Sequence, residues 1–232
     1  MLHLIGLGLD NDEITVKGLN AIENSEKVFA EFYTNTETVD LQKIEEKKGK
    51  EIEKLTREQV EQEDKIVESA KEQETAFLVS GDALTATTHF DIKRRAEKQG
   101  LETNVVHAPS IFTGIAETGL SIYKFGRTVT LPKNMKPGSI TDYIEKNDSI
   151  GLHTLVLLDI DYSADEAAEK LIEMDSDLEK AEAVFFERSN LDSQSVQVGE
   201  LGELSASGEP PHSIIIIGET SHVEEENLED FR

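Results

Sequence analysis

Three short runs of small and polar residues could carry chemistry, because each follows a predicted buried strand. They are Gly6-Leu7-Gly8-Leu9, Ser80-Gly81-Asp82-Ala83-Leu84-Thr85-Ala86-Thr87-Thr88-His89 and His107-Ala108-Pro109-Ser110-Ile111. Ligands of parallel α/β sheets bind beyond the carboxyl ends of the strands. Glycine lets the backbone approach a ligand closely, while hydroxyl and carboxylate groups supply polar contacts. The three runs therefore predict a ligand site beyond these strand ends.

The glycine pair also has a structural interpretation. Gly6 and Gly8 are typical of a plain turn after a strand. A dinucleotide-binding fingerprint would use Glu31 as the ribose-binding acid, but that fingerprint needs a glycine where Asn11 stands. The pattern therefore does not favour a dinucleotide fold.

The hydroxyl-rich and histidine-containing runs have structural interpretations as well. Thr87 or Thr88 could cap the following helix, and a capping loop can still bind a ligand. Ser110 alone is typical of a helix cap, and His107 alone is more typical of a structural histidine than of a catalytic one. In a fourth run, Gly208-Glu209-Pro210-Pro211-His212-Ser213, His212 stands at the entrance of an apolar strand, where it could contact a ligand.

Residue type and spacing exclude several kinds of catalytic site. The chain has no cysteine, so it has no disulfide, no cysteine-ligated zinc and no cysteine nucleophile. It has neither a Gly-x-Ser-x-Gly elbow nor a phosphate-binding P-loop. Metal-ligand spacing is also missing among His3, His89, His153 and His222. We therefore expect no bound metal.

The net charge of the chain is −25, from 48 acidic and 23 basic residues. Such a surface repels free nucleic acid, so we expect no nucleic-acid partner. The acidity is spread along most of the chain, which is typical either of an ordinary, highly solvated protein or of one adapted to molar salt. We favour adaptation to salt, because the excess is large and the rest of the pattern is that of a globular protein.

The sequence contains no apolar run of the roughly 18 residues that a membrane span needs. Residues 1–6 lack the basic start and long apolar core of a signal peptide, and instead predict a strand. Together with the absence of cysteine, this fits a cytoplasmic protein with no membrane partner.

Strands and helices alternate in the first half of the sequence, which predicts a parallel sheet. Strands are predicted over 2–5, 28–33, 75–79 and 103–107, and helices over 14–22, 88–99 and 111–120. Residues 40–74 are strongly charged and predict mostly exposed helix, with Thr56 and Gln59 as a capping box at one helix start.

The second half has more neighbouring strands and fewer helices, so it predicts a mixed sheet. Strands are predicted over 128–131, 152–160, 183–187, 196–201 and 213–217, and helices over 141–146 and 164–174. The acidic tail after residue 221 predicts a short surface helix or a frayed end. We therefore expect two α/β domains, residues 1–110 and 111–232.

Taken in order, these pieces resemble the diphthine synthase family, a branch of the tetrapyrrole methylase-like methyltransferases. The matching stretches are LIGLGL (4–9) with ITVKGL (14–19), FAEFYT (29–34), GDALTATTH (81–89), HAPSIF (107–112), GLSIYKFGRTVT (119–130), GLHTLVLLDI (151–160) and PPHSIII (210–216). The resemblance implies two α/β domains with S-adenosylmethionine bound in the cleft between them, and a homodimer.

Carried over by position, the cofactor contacts of that family fall on Leu9, Asp82, Thr85, Ser110, Ile111, Leu158, Ser189 and His212. The first seven lie at or near predicted carboxyl ends of strands. Leu9, Ile111 and Leu158 would give apolar walls, and Asp82 and Ser110 would give polar contacts.

Two places depart from the family pattern. Ala83 stands where the family usually has proline, and Glu187-Arg188-Ser189-Asn190 stands where it often has Ala-Arg-Ala-Gly.

The resemblance implies methylation of an amino group on a modified histidine of translation elongation factor 2. The alternatives are a related methyltransferase acting on a small tetrapyrrole-like ring, and an acidic protein that binds a nucleotide or a partner without catalysis.

Overall fold

The structure, a computed structural model, describes residues 1–34 and 38–232. The chain divides into two compact units, Met1–Ile111 and Phe112–Arg232. None of the helices in the described part is long and apolar enough to cross a membrane.

The first unit is built around a five-stranded, fully parallel sheet in the order β3-β2-β4-β1-β5. Its strands are β1 (Leu2–Gly6), β2 (Lys27–Glu31), β3 (Ile52–Lys54), β4 (Thr75–Val79) and β5 (Thr103–Val106). Its helices are α1 (Val16–Asn24), α2 (Leu41–Lys48), α3 (Arg57–Glu61), α4 (Lys65–Glu72) and α5 (Phe90–Lys98). A short helix, α6 (Ile111–Gly114), begins at the end of this unit.

Both faces of this sheet are covered, which explains why its central strands are apolar almost throughout. Leu4 and Phe77 belong to the core cluster that α4 and α5 cover. Ile5 and Leu78, the next residues along the same strands, belong to the cluster on the other face, with α1 and α2. The alternation follows from the two-residue period of a strand.

The second unit contains a mixed sheet in the order β6-β7-β10-β8-β9, in which only the β6–β7 pair is parallel. Its strands are β6 (Val129–Leu131), β7 (Thr154–Leu158), β8 (Glu182–Glu187), β9 (Ser195–Glu200) and β10 (His212–Ile216). Its helices are α7 (Ser139–Asp148), α8 (Ala164–Met174) and α9 (His222–Leu228). Side chains of α7 and α8 pack with the sheet in one core. The predicted fold class, with a parallel first sheet and a mixed second sheet, is confirmed.

Three local predictions need correction. Residues 40–74 contain β3 as well as helices, because Ile52 pairs in parallel with Val28 at the sheet edge and is buried there. The predicted helix 111–120 is instead the short α6 followed by a 3₁₀ turn, Ile115–Thr118. Neither Thr87 nor Thr88 caps α5: His89 is the N-cap residue, and the Thr87 hydroxyl accepts a bond from its N–H at 3.3 Å.

The acidic tail forms α9 and is anchored rather than frayed. Ser221 and Glu224 form a capping box, and the Glu224 side chain is buried. Its carboxylate accepts bonds from the Ser121 N–H at 2.9 Å and the Lys124 ammonium at 2.9 Å, and lies 3.1 Å from His153 Nε2. The tail is therefore held by a charged group that sequence periodicity did not single out.

Candidate functional site

The loops that follow β1 and β4 are joined backbone to backbone. Gly8 N–H donates to the Gly81 carbonyl at 3.1 Å, and Gly81 N–H donates to the Gly8 carbonyl at 2.8 Å. A Cβ added at Gly6 would lie 2.6 Å from the Gly81 carbonyl oxygen and 2.9 Å from Ala108 Cβ, so no side chain fits there. The loop after β5 therefore belongs to the same assembly, and Gly6 is required by this close approach.

Asp82 organises this assembly from the loop after β4. Its Oδ1 accepts from Leu84 N–H at 3.0 Å and from the Thr85 hydroxyl at 2.9 Å. Its Oδ2 lies 2.7 Å from His107 Nδ1 and accepts from Ala108 N–H at 3.3 Å. Burial by itself would raise the pKa of Asp82, but these hydrogen bonds outweigh it and hold the pKa below its ordinary value. The carboxylate is therefore charged and tied to two loops.

The other predicted residues of the first unit lie around this carboxylate. The Thr85 hydroxyl donates to it directly, and a Cβ added at Gly81 would lie 3.8 Å from the Ser110 Cβ. Leu9 follows the Gly8–Gly81 bridge, and its N–H donates to the Glu13 carboxylate. Ile111 is half-buried and comes directly after Ser110. The structure thus brings the loops that carry these five predicted residues to the carboxyl edge of one sheet.

Glu31 is not available as a ribose-binding acid. Its side chain is fully buried, and its carboxylate accepts from Tyr33 N–H at 2.9 Å and from Thr34 N–H at 3.1 Å. Burial raises the pKa of Glu31 despite these bonds. The structure therefore agrees with the failure of the dinucleotide fingerprint at Asn11.

In the second unit, Leu158, Ser189 and His212 share one edge of the sheet. Leu158 ends β7, and Ser189 follows β8 by two residues. His212 begins β10, which runs antiparallel to both β7 and β8, so that His212 pairs with Glu187. Because β10 runs antiparallel to β7 and β8, its first residue lies at the same edge of the sheet as the last residues of those two strands. His212 is therefore found at the edge that also carries Leu158 and Ser189.

Glu187, which the sequence analysis did not single out, holds this edge together. Its carboxylate accepts from Ser207 N–H at 3.0 Å, from Gln197 Nε2 at 2.9 Å and from Arg188 Nη1 at 3.0 Å. His212 Nε2 lies 3.5 Å from it. Both the Glu187 and the His212 side chains are fully buried. The departure of residues 187–190 from the family pattern was the only sequence signal at this position.

Ser189 lies in a constrained turn. Its neighbours Arg188 and Asn190 have φ values of 50° and 65°, in the left-handed region that asparagine tolerates better than most side chains. Asn190 thus stands where the family often has glycine without leaving the glycine-like conformation. Ser189 Oγ is buried and has no hydrogen-bond partner among the described residues. A buried hydroxyl of this kind is suited to a ligand's polar group.

Within residues 1–34 and 38–232, no group of three or more histidine, aspartate or glutamate side chains is placed to hold a metal ion. The site therefore consists of glycine backbone, hydroxyl groups, one charged carboxylate and apolar side chains. Such a donor set suits an organic ligand with amino, hydroxyl and apolar parts.

Comparison with known proteins decides between the families that this architecture allows. A family model described as Tetrapyrrole (Corrin/Porphyrin) Methylases matches residues 1–205. The diphthine synthase of Methanocaldococcus jannaschii is 37% identical, over 98% of this chain and 97% of its own length. The chain belongs to the diphthine synthase family. A diphthine methyl ester synthase of Yarrowia lipolytica is also 37% identical, over 96% of this chain and 86% of its own length.

The fold of the family agrees as well. A crystal structure of diphthine synthase superposes with a TM-score of 0.93 at 33% sequence identity, covering 99% of this chain and 95% of that one. Membership of the diphthine synthase family makes the chain a methyltransferase and disfavours both the tetrapyrrole-ring alternative and the non-catalytic alternative.

Proposed function

We propose that this chain methylates the amino group of the modified histidine of translation elongation factor 2, using S-adenosylmethionine, in diphthamide biosynthesis. The observation that carries the proposal is the near-full-length similarity to diphthine synthases of archaea, together with the similarity to fungal diphthine methyl ester synthases. The loop assembly of the first unit is the part of the structure that supports it.

S-adenosylmethionine is proposed to be held by Leu9, Asp82, Thr85, Ser110 and Ile111 of the first unit. In the second unit the proposed contacts are Leu158, Ser189 and His212. His212 would contribute backbone groups, because its ring is fully buried and already bonded.

Two observations support the fit between these residues and the cofactor. The charged Asp82 carboxylate lies at the carboxyl edge of the first sheet, where it suits an amino or hydroxyl group of a ligand. Ser189 Oγ is a buried hydroxyl with no partner among the described residues. When bound, S-adenosylmethionine supplies a methyl group that is already activated by the sulfonium. The chain's own residues have to bind, align the acceptor amine and exclude water.

The test is a methyl-transfer assay with purified elongation factor 2 that carries the aminocarboxypropyl histidine precursor. Mass spectrometry of the modified peptide should show one or more added methyl groups, and only when both this chain and elongation factor 2 are present. The name of the Yarrowia relative includes a methyl ester, so the peptide should also be treated with mild base, which removes an ester methyl but leaves an N-methyl. No base-stable methyl in the presence of S-adenosylmethionine would refute the proposal.

Three further properties are proposed from the family resemblance and the composition: a homodimer, a cytoplasmic location and adaptation to high salt. Light scattering checks the first, and a single mass near the 25.8 kDa of the monomer at all concentrations would contradict it. No nucleic acid is proposed as a partner, because 48 acidic residues oppose its binding.

A further inference from the structure

We infer that His107 accepts the proton of the substrate ammonium, and that Asp82 positions the His107 ring for this task. The inference rests on the proposed function, because it concerns the amine that is methylated there. It gives a chemical role to a histidine that in the sequence resembled a structural one.

The geometry of the pair is that of an oriented imidazole. His107 Nδ1 lies 2.7 Å from Asp82 Oδ2, while the Asp82 side chain is 7% exposed and the His107 side chain is 70% exposed. The carboxylate cannot rotate freely, because Leu84, Thr85 and Ala108 also donate to it. Among the described residues of the first unit, Asp82 is the charged group in contact with the ring.

This contact decides which ring nitrogen is basic. A carboxylate accepts, so in the neutral ring Nδ1 carries the proton and Nε2 keeps its lone pair. The side chain that carries Nε2 is 70% exposed. A carboxylate that fixes the tautomer and orientation of an exposed imidazole is the arrangement by which enzymes prepare a general base.

The other five histidines do not offer this arrangement. Four of them are buried: His3, His89, His153 and His212. His222 is exposed, but it lies on the terminal helix α9 next to Glu226. His107, by contrast, precedes Ser110 and Ile111 in the loop that is proposed to bind the cofactor, and its imidazole contacts Asp82, another residue of the proposed site.

The step is a proton transfer. At neutral pH the acceptor nitrogen is an ammonium, whose electron pair is not available for attack. One N–H bond of the ammonium breaks, the electron pair stays on nitrogen, and the proton bonds to His107 Nε2. The amine is then a nucleophile, and the imidazolium returns the proton to water. Each methyl group transferred to nitrogen thereby releases one proton to solvent.

The test compares the variant His107→Asn with wild type, both acting on precursor-bearing elongation factor 2. Asparagine retains an N–H near the Nδ1 position, so it keeps the bond to Asp82 but has no basic nitrogen. At neutral pH, kcat should fall by about 10²-fold or more, the size expected for the loss of a general base. The loss should shrink as pH rises, because the amine then deprotonates without help. The dissociation constant of S-adenosylmethionine, measured by calorimetry, should change by less than about 2-fold, well below the tenfold step of 1.4 kcal/mol.

The control variant is His222→Asn, which should match wild type in every respect. A loss of activity in His107→Asn that is constant with pH would show a structural role and overturn the inference, as would an unchanged kcat. A wild-type protein without methyl transfer would instead refute the proposed function, so the two failures are distinguishable. An independent readout is ¹⁵N NMR of the ring, which should show Nδ1 protonated and Nε2 unprotonated in wild type. The opposite tautomer would also overturn the inference.

Discussion

His107 and His212 each stand beside a carboxylate, yet their surroundings are opposite. The His107 side chain is 70% exposed and uses one nitrogen to contact Asp82. The His212 side chain is fully buried: its Nδ1 accepts from Ala164 N–H at 3.0 Å, and its Nε2 lies 3.5 Å from Glu187. Burial lowers the pKa of His212 more than the neighbouring Glu187 raises it, which favours the neutral ring.

This difference indicates that the residue types of a histidine–carboxylate pair do not by themselves define its role. In the first unit the histidine side chain is largely exposed, so the pair can exchange protons with a substrate. In the second unit the second ring nitrogen, Nδ1, accepts a hydrogen bond from a backbone N–H, so the pair holds the first residue of β10 in place. What the second nitrogen contacts, rather than the residue types, separates a chemical role from a structural one.

The largest effect should come from breaking the buried pair with Glu187→Gln. The amide cannot neutralise Arg188 Nη1, whose side chain is only 11% exposed, and its NH₂ would face donors such as Ser207 N–H. Losing one partner of a buried pair costs about 3–5 kcal/mol of unfolding free energy. Urea denaturation measures the loss, with the exposed Glu203→Gln as control, which should stay within about 0.5 kcal/mol of wild type. Equal stabilities of the two variants would contradict the structural role of Glu187.

Asp82→Asn tests the carboxylate of the Asp82–His107 pair. A charge-assisted hydrogen bond contributes roughly 1.5–3 kcal/mol, so the variant should bind S-adenosylmethionine about ten-fold or more weakly. Calorimetry with Glu72→Gln as the matched control gives the comparison, because Glu72 is an exposed acid that precedes β4. An unchanged dissociation constant would remove Asp82 from the cofactor site.

Salt should change stability through the exposed charges and have almost no effect on the buried Glu187–His212 pair. At about 0.1 M salt the Debye length is roughly 10 Å, and at about 1 M it is roughly 3 Å, so most repulsion among surface carboxylates disappears. With a net charge of −25, the thermal midpoint should rise with potassium chloride up to about 2–3 M, and further with a sulfate salt at equal ionic strength. Each kcal/mol gained corresponds to about 2–4 °C in a chain of this size. A flat or falling midpoint would rule out adaptation to high salt.

The smallest effect should be the pH dependence of stability that the buried His212 contributes. Because the folded-state pKa of His212 is lowered, its contribution to stability is complete above the ordinary value of 6.5 and is lost as pH falls toward the folded-state pKa. Replacing His212 by asparagine should therefore flatten the fall in unfolding free energy below pH 6.5. Denaturation at several pH values compares His212→Asn with wild type, and equal slopes would show that His212 is not buried in its neutral form.

Local patterns in the sequence were sufficient for much of the fold. The helix predicted over 164–174 is α8 (Ala164–Met174), the strand predicted over 75–79 is β4, and the Thr56–Gln59 capping box is present. Each depends on contacts within a few residues, which periodicity and capping chemistry report directly. The parallel first sheet also followed, because strand–helix–strand order leaves few alternatives.

Only the tertiary structure decided which residues meet. Asp82 and His107 are separated by 25 positions, and Glu187 and Ser207 by 20. Neither pair has a sequence signal, because a hydrogen bond across such a distance depends on strand order and register rather than on local propensity. The same holds for β3, whose three residues are too few to show a period, and for His212, which joins the strand exits only because β10 is antiparallel. The sequence by itself determined the elements and the loops rich in polar groups; the pairing of strands decided which histidine ring is exposed and which is closed off.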